Sequence, residues 1–428
     1  MYKTLRVLVG FAALCLAHAT QAQVISNTPY SRFGLGEINE NLGNIRNLGM
    51  AGVGVSAANS YQANTANPAL LYYNSITNFN MGVAGQVKSL SDGNESQWDS
   101  NASLYNLSLV VPVSKRWSSA VGLRPYSTVN YEIGASKEVA GNPEATFVRR
   151  YEGTGGLSEV YFAHGVRVVG GLSVGGSASY IFGNIANEVS SAIQDPAFPA
   201  VGVQEVTVLN NTTYRDFLFR AGVNYRQKLK DKLFISAGGV YTFETELEAE
   251  RKTSYDRPLI TGSTPLLADS AESSVVLPAG YRAGISLDNG SNLTLAADVA
   301  MQKWSDYRNF EGQQGELEDT YRVAVGGEYT PNAASIDSYF ERITYRAGLY
   351  YGETPYVLNG KQITDKGVTV GGTLPIGRAS VYDLYLLNLY MGYGQRGTVE
   401  NGLVEENYFL FGAGFTVNSR WFIKRRIE

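Results

Sequence analysis

The sequence predicts an all-β protein: a transmembrane antiparallel β-barrel of 14 strands with an N-terminal hatch, or plug, inside the lumen. Three observations carry that expectation. From about residue 76 onward, segments of roughly ten residues alternate apolar with small or polar side chains, the two-residue period of a strand whose faces meet different media. The connections between these segments alternate between very short and long polar ones. Finally, only 17% of the 428 residues are charged, against about a quarter in ordinary soluble domains, and 47 Gly and 29 Tyr occupy the difference. That composition favours strands. No apolar run of helix-spanning length follows the first 25 residues, which excludes a bundle of membrane helices and leaves a closed barrel as the one membrane architecture.

The chain opens with a leader. Lys3 and Arg6 form a short basic region, Val7 to Ala17 an apolar stretch too short to span a bilayer, and Ala17, Ala19 and Ala22 supply small residues before a cleavage site. Residues 1–22 are therefore expected to be removed, leaving Gln23 first, and the single cysteine, Cys15, goes with them. An exported chain without cysteine has neither a disulfide framework nor a thiolate metal site. The net charge of −4 becomes more negative once Lys3 and Arg6 are lost, so a nucleic-acid partner is not expected.

Residues 23–75 do not alternate, yet they are rich in glycine and contain Ala63-Asn64-Thr65-Ala66-Asn67-Pro68-Ala69-Leu70-Leu71. They predict a compact plug, and a barrel of fourteen strands is wide enough to need one. Gly49, Gly52 and Gly54 do not form a dinucleotide loop, because no strand-to-helix context surrounds them.

Residues 76–428 form the barrel, with strands expected near 76–88, 102–113, 116–132, 158–169, 172–186, 212–226, 233–249, 274–287, 293–307, 318–329, 343–354, 365–374, 381–396 and 406–422. Ile343, Tyr345, Ala347, Leu349 and Tyr351 share one face, opposite Thr344, Arg346, Gly348 and Tyr350. Short connections at 114–115, 170–171, 288–292 and 375–380 mark one rim; polar loops at 133–157, 187–211 and 251–273 mark the other, with both termini on the periplasmic side of an outer membrane. The link at 331–342 is too long for the short-turn rim. Trp117, Trp304, Tyr329, Tyr393 and Trp421 fall near strand ends, where interfacial girdles sit.

A charge facing lipid at mid-depth costs about 2–4 kcal/mol, so parity assigns Arg220, Arg282, Arg322, Arg346, Asp298 and Glu328 to the lumen. They either anchor the plug by ion pairing or receive the carboxylate of an acidic substrate. His164, the histidine that survives cleavage, is expected to be packed or lumenal; a hydrolase reading would need a Ser and an orienting acid beside it. No enzyme, metal or cofactor is expected.

From Leu48-Gly49-Met50-Ala51-Gly52-Val53-Gly54 and Asn67-Pro68-Ala69 onward, the chain resembles the outer-membrane transporters of long-chain fatty acids and aromatic hydrocarbons, the FadL/TodX type. The likeness continues through Leu277-Pro278-Ala279-Gly280-Tyr281-Arg282-Ala283-Gly284-Ile285, Lys303-Trp304-Ser305, Tyr321-Arg322-Val323-Ala324-Val325-Gly326-Gly327-Glu328-Tyr329 and Tyr345-Arg346-Ala347-Gly348-Leu349-Tyr350-Tyr351. The resemblance implies fourteen strands, a hatch carrying Asn67, Pro68 and Ala69, and passive uptake of hydrophobic small molecules. It also implies a lateral opening in the third strand near Gly122, Pro125, Tyr126 and Ser127, although Pro125-Tyr126-Ser127 stands where the family often has Pro-Phe-Gly. Long outer loops would form the capture groove, here Ile193, Phe198 and Val201 in one loop and Leu259, Ile260, Leu266 and Leu267 in another. The alternative is a non-transporting scaffold or accessory of a protein secretion system, with an exported-protein partner; it requires a lumen too tightly filled for an acyl chain.

Overall fold

The architecture is that of a computed structural model, which describes residues 28–195, 205–259, 262–315, 317–378 and 384–419. The expected leader and its cleavage site, both chain termini, Phe198, Val201, Ile260 and Trp421 lie outside the described residues. A two-residue strand, β1 (Glu37–Ile38), precedes the wall. The wall begins with β2 (Thr77–Ser91), β3 (Ser96–Ser114), β4 (Trp117–Val139), β5 (Asn142–Val169), β6 (Leu172–Gln194) and β7 (Val206–Lys230). It continues through β8 (Leu233–Thr242), β9 (Thr245–Leu259), β10 (Gly262–Leu277), β11 (Gly280–Asp288) and β12 (Leu293–Gln302). It ends with β13 (Thr320–Tyr329), β14 (Thr344–Leu358), β15 (Lys361–Arg378), β16 (Leu384–Gly397) and β17 (Glu405–Ser419).

Neighbours pair antiparallel, and β17 closes on β2 from Ser419↔Thr77 to Glu405↔Ser91. Two wall strands are interrupted: β8 and β9 both pair with β7, and β11 and β10 pair with β8 and β9 respectively. Pro278, which has no N–H for the ladder, sits at the second break. Counting each interrupted pair as one gives a closed barrel of 14 strands. A closed ladder satisfies the backbone without water, which is what a membrane span requires. No helix among the described residues is long and apolar enough to cross a membrane.

The two faces follow the alternation. On β14, Tyr345, Leu349 and Tyr351 are exposed while Arg346 and Tyr350 are buried; on β17, Phe409 and Phe411 are exposed while Tyr408, Thr416 and Asn418 are buried. On these strands the outward face is thus apolar and the inward face largely polar and packed.

Among the described residues, the segments expected to be long polar loops are largely strand. The β4–β5 pairing runs up to Val139↔Asn142, β5–β6 to Thr146↔Gln194 and β9–β10 to Leu259↔Gly262, so these segments are strands extended into tall hairpins. Above the membrane both faces of a strand meet water, and the contrast that marks a membrane strand disappears. Trp304 also departs from expectation: it is buried with Tyr307 and Leu317 instead of lying in an interfacial girdle. Trp117, Tyr329 and Tyr393 are exposed at strand ends as the girdle requires.

Candidate functional site

Residues 28–76 run along the inner face of the wall. The backbone N–H of Thr28 donates to the Asn130 carbonyl (2.7 Å), and β1 pairs with β4 through Glu37↔Thr128 and Ile38↔Ser127. A helical turn follows at Ile45–Leu48, capped by Asn44 and Asn47. The Gly49–Val55 stretch then crosses the lumen, and a 3-10 turn at Pro68–Tyr73 leads to β2. Asn67 caps that turn: its side-chain oxygen accepts from Ala69 N–H (2.9 Å), and its amide donates to the carbonyls of Val55 (2.8 Å) and Val223 (3.0 Å). Proline at the first helical position and the Asn cap explain why Asn-Pro-Ala starts a turn here.

This segment rests on a seat of inward-facing glycines. A methyl group at Gly175 would stand 2.4 Å from the Pro68 carbonyl carbon, and one at Gly348 2.4 Å from that of Met50. Gly165, Gly222, Gly238 and Gly326 meet the segment as closely. Sequence reading missed this seat, although glycine on the inward parity of several strands was its visible signal.

Charges pin the segment. Glu328 lies between Arg46 (2.6 Å) and Arg346 (3.0 Å), all three buried. Glu159 similarly lies between Arg124 (3.0 Å) and Arg220, whose guanidinium also reaches Ser179 (3.1 Å). Arg124 donates to the Leu42 carbonyl at 2.6 Å. Asp298 accepts from the N–H groups of Gly54 (2.6 Å) and Val55 (2.9 Å). Arg322 donates to the Asn41 side chain (3.0 Å) and the Ala51 carbonyl (3.3 Å); Arg282 donates to the Glu40 carbonyl. All six lumen charges expected from parity therefore face inward, and all but Arg220 and Arg346 form a hydrogen bond to the N-terminal segment. Arg46, Arg124 and Glu159 were not anticipated; the last two share the same inward parity and stand opposite each other across β4 and β5.

Between β3 and β4 the wall parts. Their ladder runs from Ser114↔Trp117 only to Leu107↔Leu123, beyond which β3 pairs with β2 alone. The freed edge of β4 is met by the N-terminal segment: Asn39 N–H donates to the Tyr126 carbonyl (2.9 Å) and its amide to that of Pro125 (3.3 Å), followed by the β1 pairing at Ser127 and Thr128. Tyr126 also marks a bulge against β5, between Pro125 and Ser127. Gly122 leaves room for the Tyr161 ring, on which the Arg124 guanidinium stacks at 4.8 Å.

Above this level the lumen is filled by apolar side chains, with Tyr30 and Leu35 of the segment packed among Leu157, Ile181, Leu218 and Trp304. Tyr30 stacks on Tyr356 at 5.9 Å. A cavity of about 50 Å³ remains beside the parted seam, bordered by Leu42, Tyr126, Leu218, Arg220, Arg282 and Met301. Ile193 is exposed near the tall end of β6, opposite Phe147 of β5; Leu259, Leu266 and Leu267 belong to the β9–β10 hairpin.

His164 is neither lumenal nor packed in a core. It shares the outward parity of Val160, Phe162 and Val166, which explains its apolar neighbours. Its Nδ1 lies 2.9 Å from Ser119 Oγ and accepts from Trp117 Nε1 (3.1 Å); no carboxylate orients the ring among the described residues. The Ser–His contact expected of a hydrolase is present, but the orienting acid is not. No group of metal ligands occurs among the described residues.

These features define a fourteen-stranded transmembrane barrel with an N-terminal segment packed in its lumen and a parted β3–β4 seam. The chain belongs to the BamG family, which it matches over residues 1–428. No curated protein matches its sequence. Among solved structures it is similar to the CymD monoaromatic hydrocarbon channel (17% identity, TM-score 0.57, 91% of this chain and 100% of that one). It is also similar to the toluene transporter TodX of P. putida (16%, 0.56, 89% and 99%) and to a FadL homologue from Pseudomonas aeruginosa (14%, 0.56, 90% and 100%). At these identities the likeness is one of fold.

Proposed function

We propose that this protein is an outer-membrane channel for passive uptake of hydrophobic small molecules, long-chain fatty acids or aromatic hydrocarbons, held shut at rest by its N-terminal segment acting as a hatch. The observation that carries the reading is the parted β3–β4 seam beside the lumenal cavity. A parted wall exposes backbone that must find other partners within a membrane, as the β4 edge does on the N-terminal segment, and a purely structural barrel gains nothing from that arrangement. The hydrocarbon channels and the FadL homologue of the same fold add support.

In this reading substrate lands on the tall hairpins, with Ile193, Phe198, Val201, Leu259, Ile260, Leu266 and Leu267 as capture residues. It then enters the lumen near Tyr126 and Leu218 and leaves sideways at Gly122–Ser127 into the bilayer. An acyl chain of about sixteen carbons gains roughly 12 kcal/mol on leaving water, at about 0.8 kcal/mol per methylene, so no energy source is needed. A cavity of about 50 Å³ holds a few waters, whereas benzene occupies a site of about 150 Å³. Transport therefore requires residues 38–42 to leave the β4 edge.

A disulfide tests that step. Ile38 and Ser127 are directly opposed, and antiparallel partners lie about 4.5–5.5 Å apart at Cα, within disulfide reach. The single native cysteine lies in the leader, so Ile38→Cys with Ser127→Cys introduces the pair selectively. Oxidised cells should lose uptake of radiolabelled oleate and toluene, and reductant should restore it. Uptake that is equal with and without the gene would defeat the channel reading. A second reading, a non-transporting scaffold for an exported protein, draws on the filled upper lumen; it expects that equality.

A further inference from the structure

The link between β13 and β14 breaks the short-turn pattern of its rim and carries the two most exposed large apolar side chains among the described residues, Ile336 (94%) and Phe340 (71%). It is internally ordered. Asn332 N–H donates to the Glu341 carbonyl (2.8 Å), Ser335 N–H to the Asn332 carbonyl (3.1 Å) and Ala334 N–H to the Asn332 side chain (3.1 Å), while Ser338 N–H donates to the Ser335 hydroxyl (3.2 Å). One helical turn, Tyr339–Arg342, leads back to the buried Ile343.

Its position is fixed by the wall. The Tyr345 hydroxyl donates to the Phe340 carbonyl at 3.1 Å, and Tyr345 belongs to the outward face of β14 with Leu349 and Tyr351. The helical turn is therefore held at the outer surface of the barrel, not beneath its lumen. Tyr329 and Leu293, exposed on the adjoining strands at the same rim, continue the apolar belt to this point. The Arg342 guanidinium covers the Tyr339 ring at 5.1 Å, an amphipathic pair of the kind that membrane interfaces favour. Asp337 and Glu341 are exposed on the same link and give it a water-facing side.

We propose that residues 331–343 form an interfacial membrane anchor whose Ile336 and Phe340 side chains enter the lipid leaflet at the short-turn rim. The occupant is phospholipid, because the patch continues a surface that lipid already covers. A rigid link with two apolar side chains beside an aromatic rim buries them by lying on the bilayer, as interfacial segments do. The anchor would fix the tilt and depth of the barrel on that side, and it does not depend on what the barrel transports.

The test uses the full-length barrel reconstituted in phosphatidylethanolamine–phosphatidylglycerol vesicles. Ile336→Cys, Phe340→Cys and, as control, Asp337→Cys are labelled with a polarity-sensitive fluorophore, and heat-modifiable migration confirms that each variant is folded. Labels at 336 and 340 should emit to the blue of the label at 337, be quenched severalfold by shallowly spin-labelled lipid and resist aqueous iodide. Emission and iodide quenching equal to those at position 337 would overturn the anchor. So would protection that is missing in these vesicles and appears only in native membranes, because it would assign the patch to a protein partner.

Discussion

At the residue scale, two carboxylates hold more of this molecule together than their number suggests. Glu328 and Glu159 are each buried between two guanidinium groups, and in both cases one of the pair stands directly opposite on the neighbouring strand. Burying three charges is tolerable only because the carboxylate sits between both guanidinium groups and hydrogen-bonds to each. Glu328→Gln would leave Arg46 and Arg346 facing each other without an anion. Breaking such a pair costs about 3–5 kcal/mol. Arg346 keeps its wall position and Thr373 as a partner at 2.6 Å, whereas Arg46 belongs to the N-terminal segment. The loss should therefore fall on the segment and spare the ladder. The expected outcome is a barrel that still shows heat-modifiable migration but whose residues 28–76 exchange amide hydrogens much faster than wild type; unchanged exchange would show that Arg46 is not an anchor.

At the scale of elements, the glycine seat sets how closely the segment approaches the wall. Gly175 on β6 and Gly348 on β14 lie across the lumen from each other in strand order, and each touches segment backbone. Gly175→Leu would drive a side chain into Pro68, and Gly348→Leu one into Met50. Overpacking of this kind costs about 1–3 kcal/mol. Because the wall is the stiffer partner, the segment is expected to move, giving frequent conductance bursts in planar bilayers where wild type is quiet; silence in both variants would mean that the segment yields without unsealing the lumen. The wall itself was legible in the sequence because each strand faces lipid on one side and a polar interior on the other. That contrast located all fourteen strands and gave the parity of Arg282, Arg322 and Glu328. The tall hairpins were illegible for the same reason, since water on both faces removes the contrast, and residues such as Ile193 read as loop. The same parity rule, applied to His164 beside Val160 and Phe162, points outward. Arg46 left no trace, because the segment that carries it has no period to read.

For the whole molecule, the question is whether the segment is a component of the fold or a passenger in it. The ladder closes through β17 and β2 without help from residues 28–76. Each buried carboxylate keeps at least one wall partner when the segment is absent: Glu328 keeps Arg346, and Glu159 keeps Arg124 and Arg220. Deleting residues 28–70 should therefore leave a barrel that inserts and migrates heat-modifiably. Fourteen strands enclose more space than inward side chains fill, so the deletion should conduct ions steadily. Its selectivity follows from what the segment took with it. Arg282 and Arg322 lose the Glu40, Asn41 and Ala51 acceptors that hold them and Asp298 loses its Gly54 and Val55 donors, which leaves two guanidinium groups and one carboxylate, a net positive set, facing the new lumen. A pore lined by such groups favours anions. A reversal potential measured across a potassium chloride gradient should carry the sign of chloride preference, and Arg282→Gln in the same background should reduce it. A deletion that folds and stays silent would mean that the tall hairpins and the apolar upper lumen seal the barrel alone, and the segment would then have to be regarded as bracing for the β4 edge.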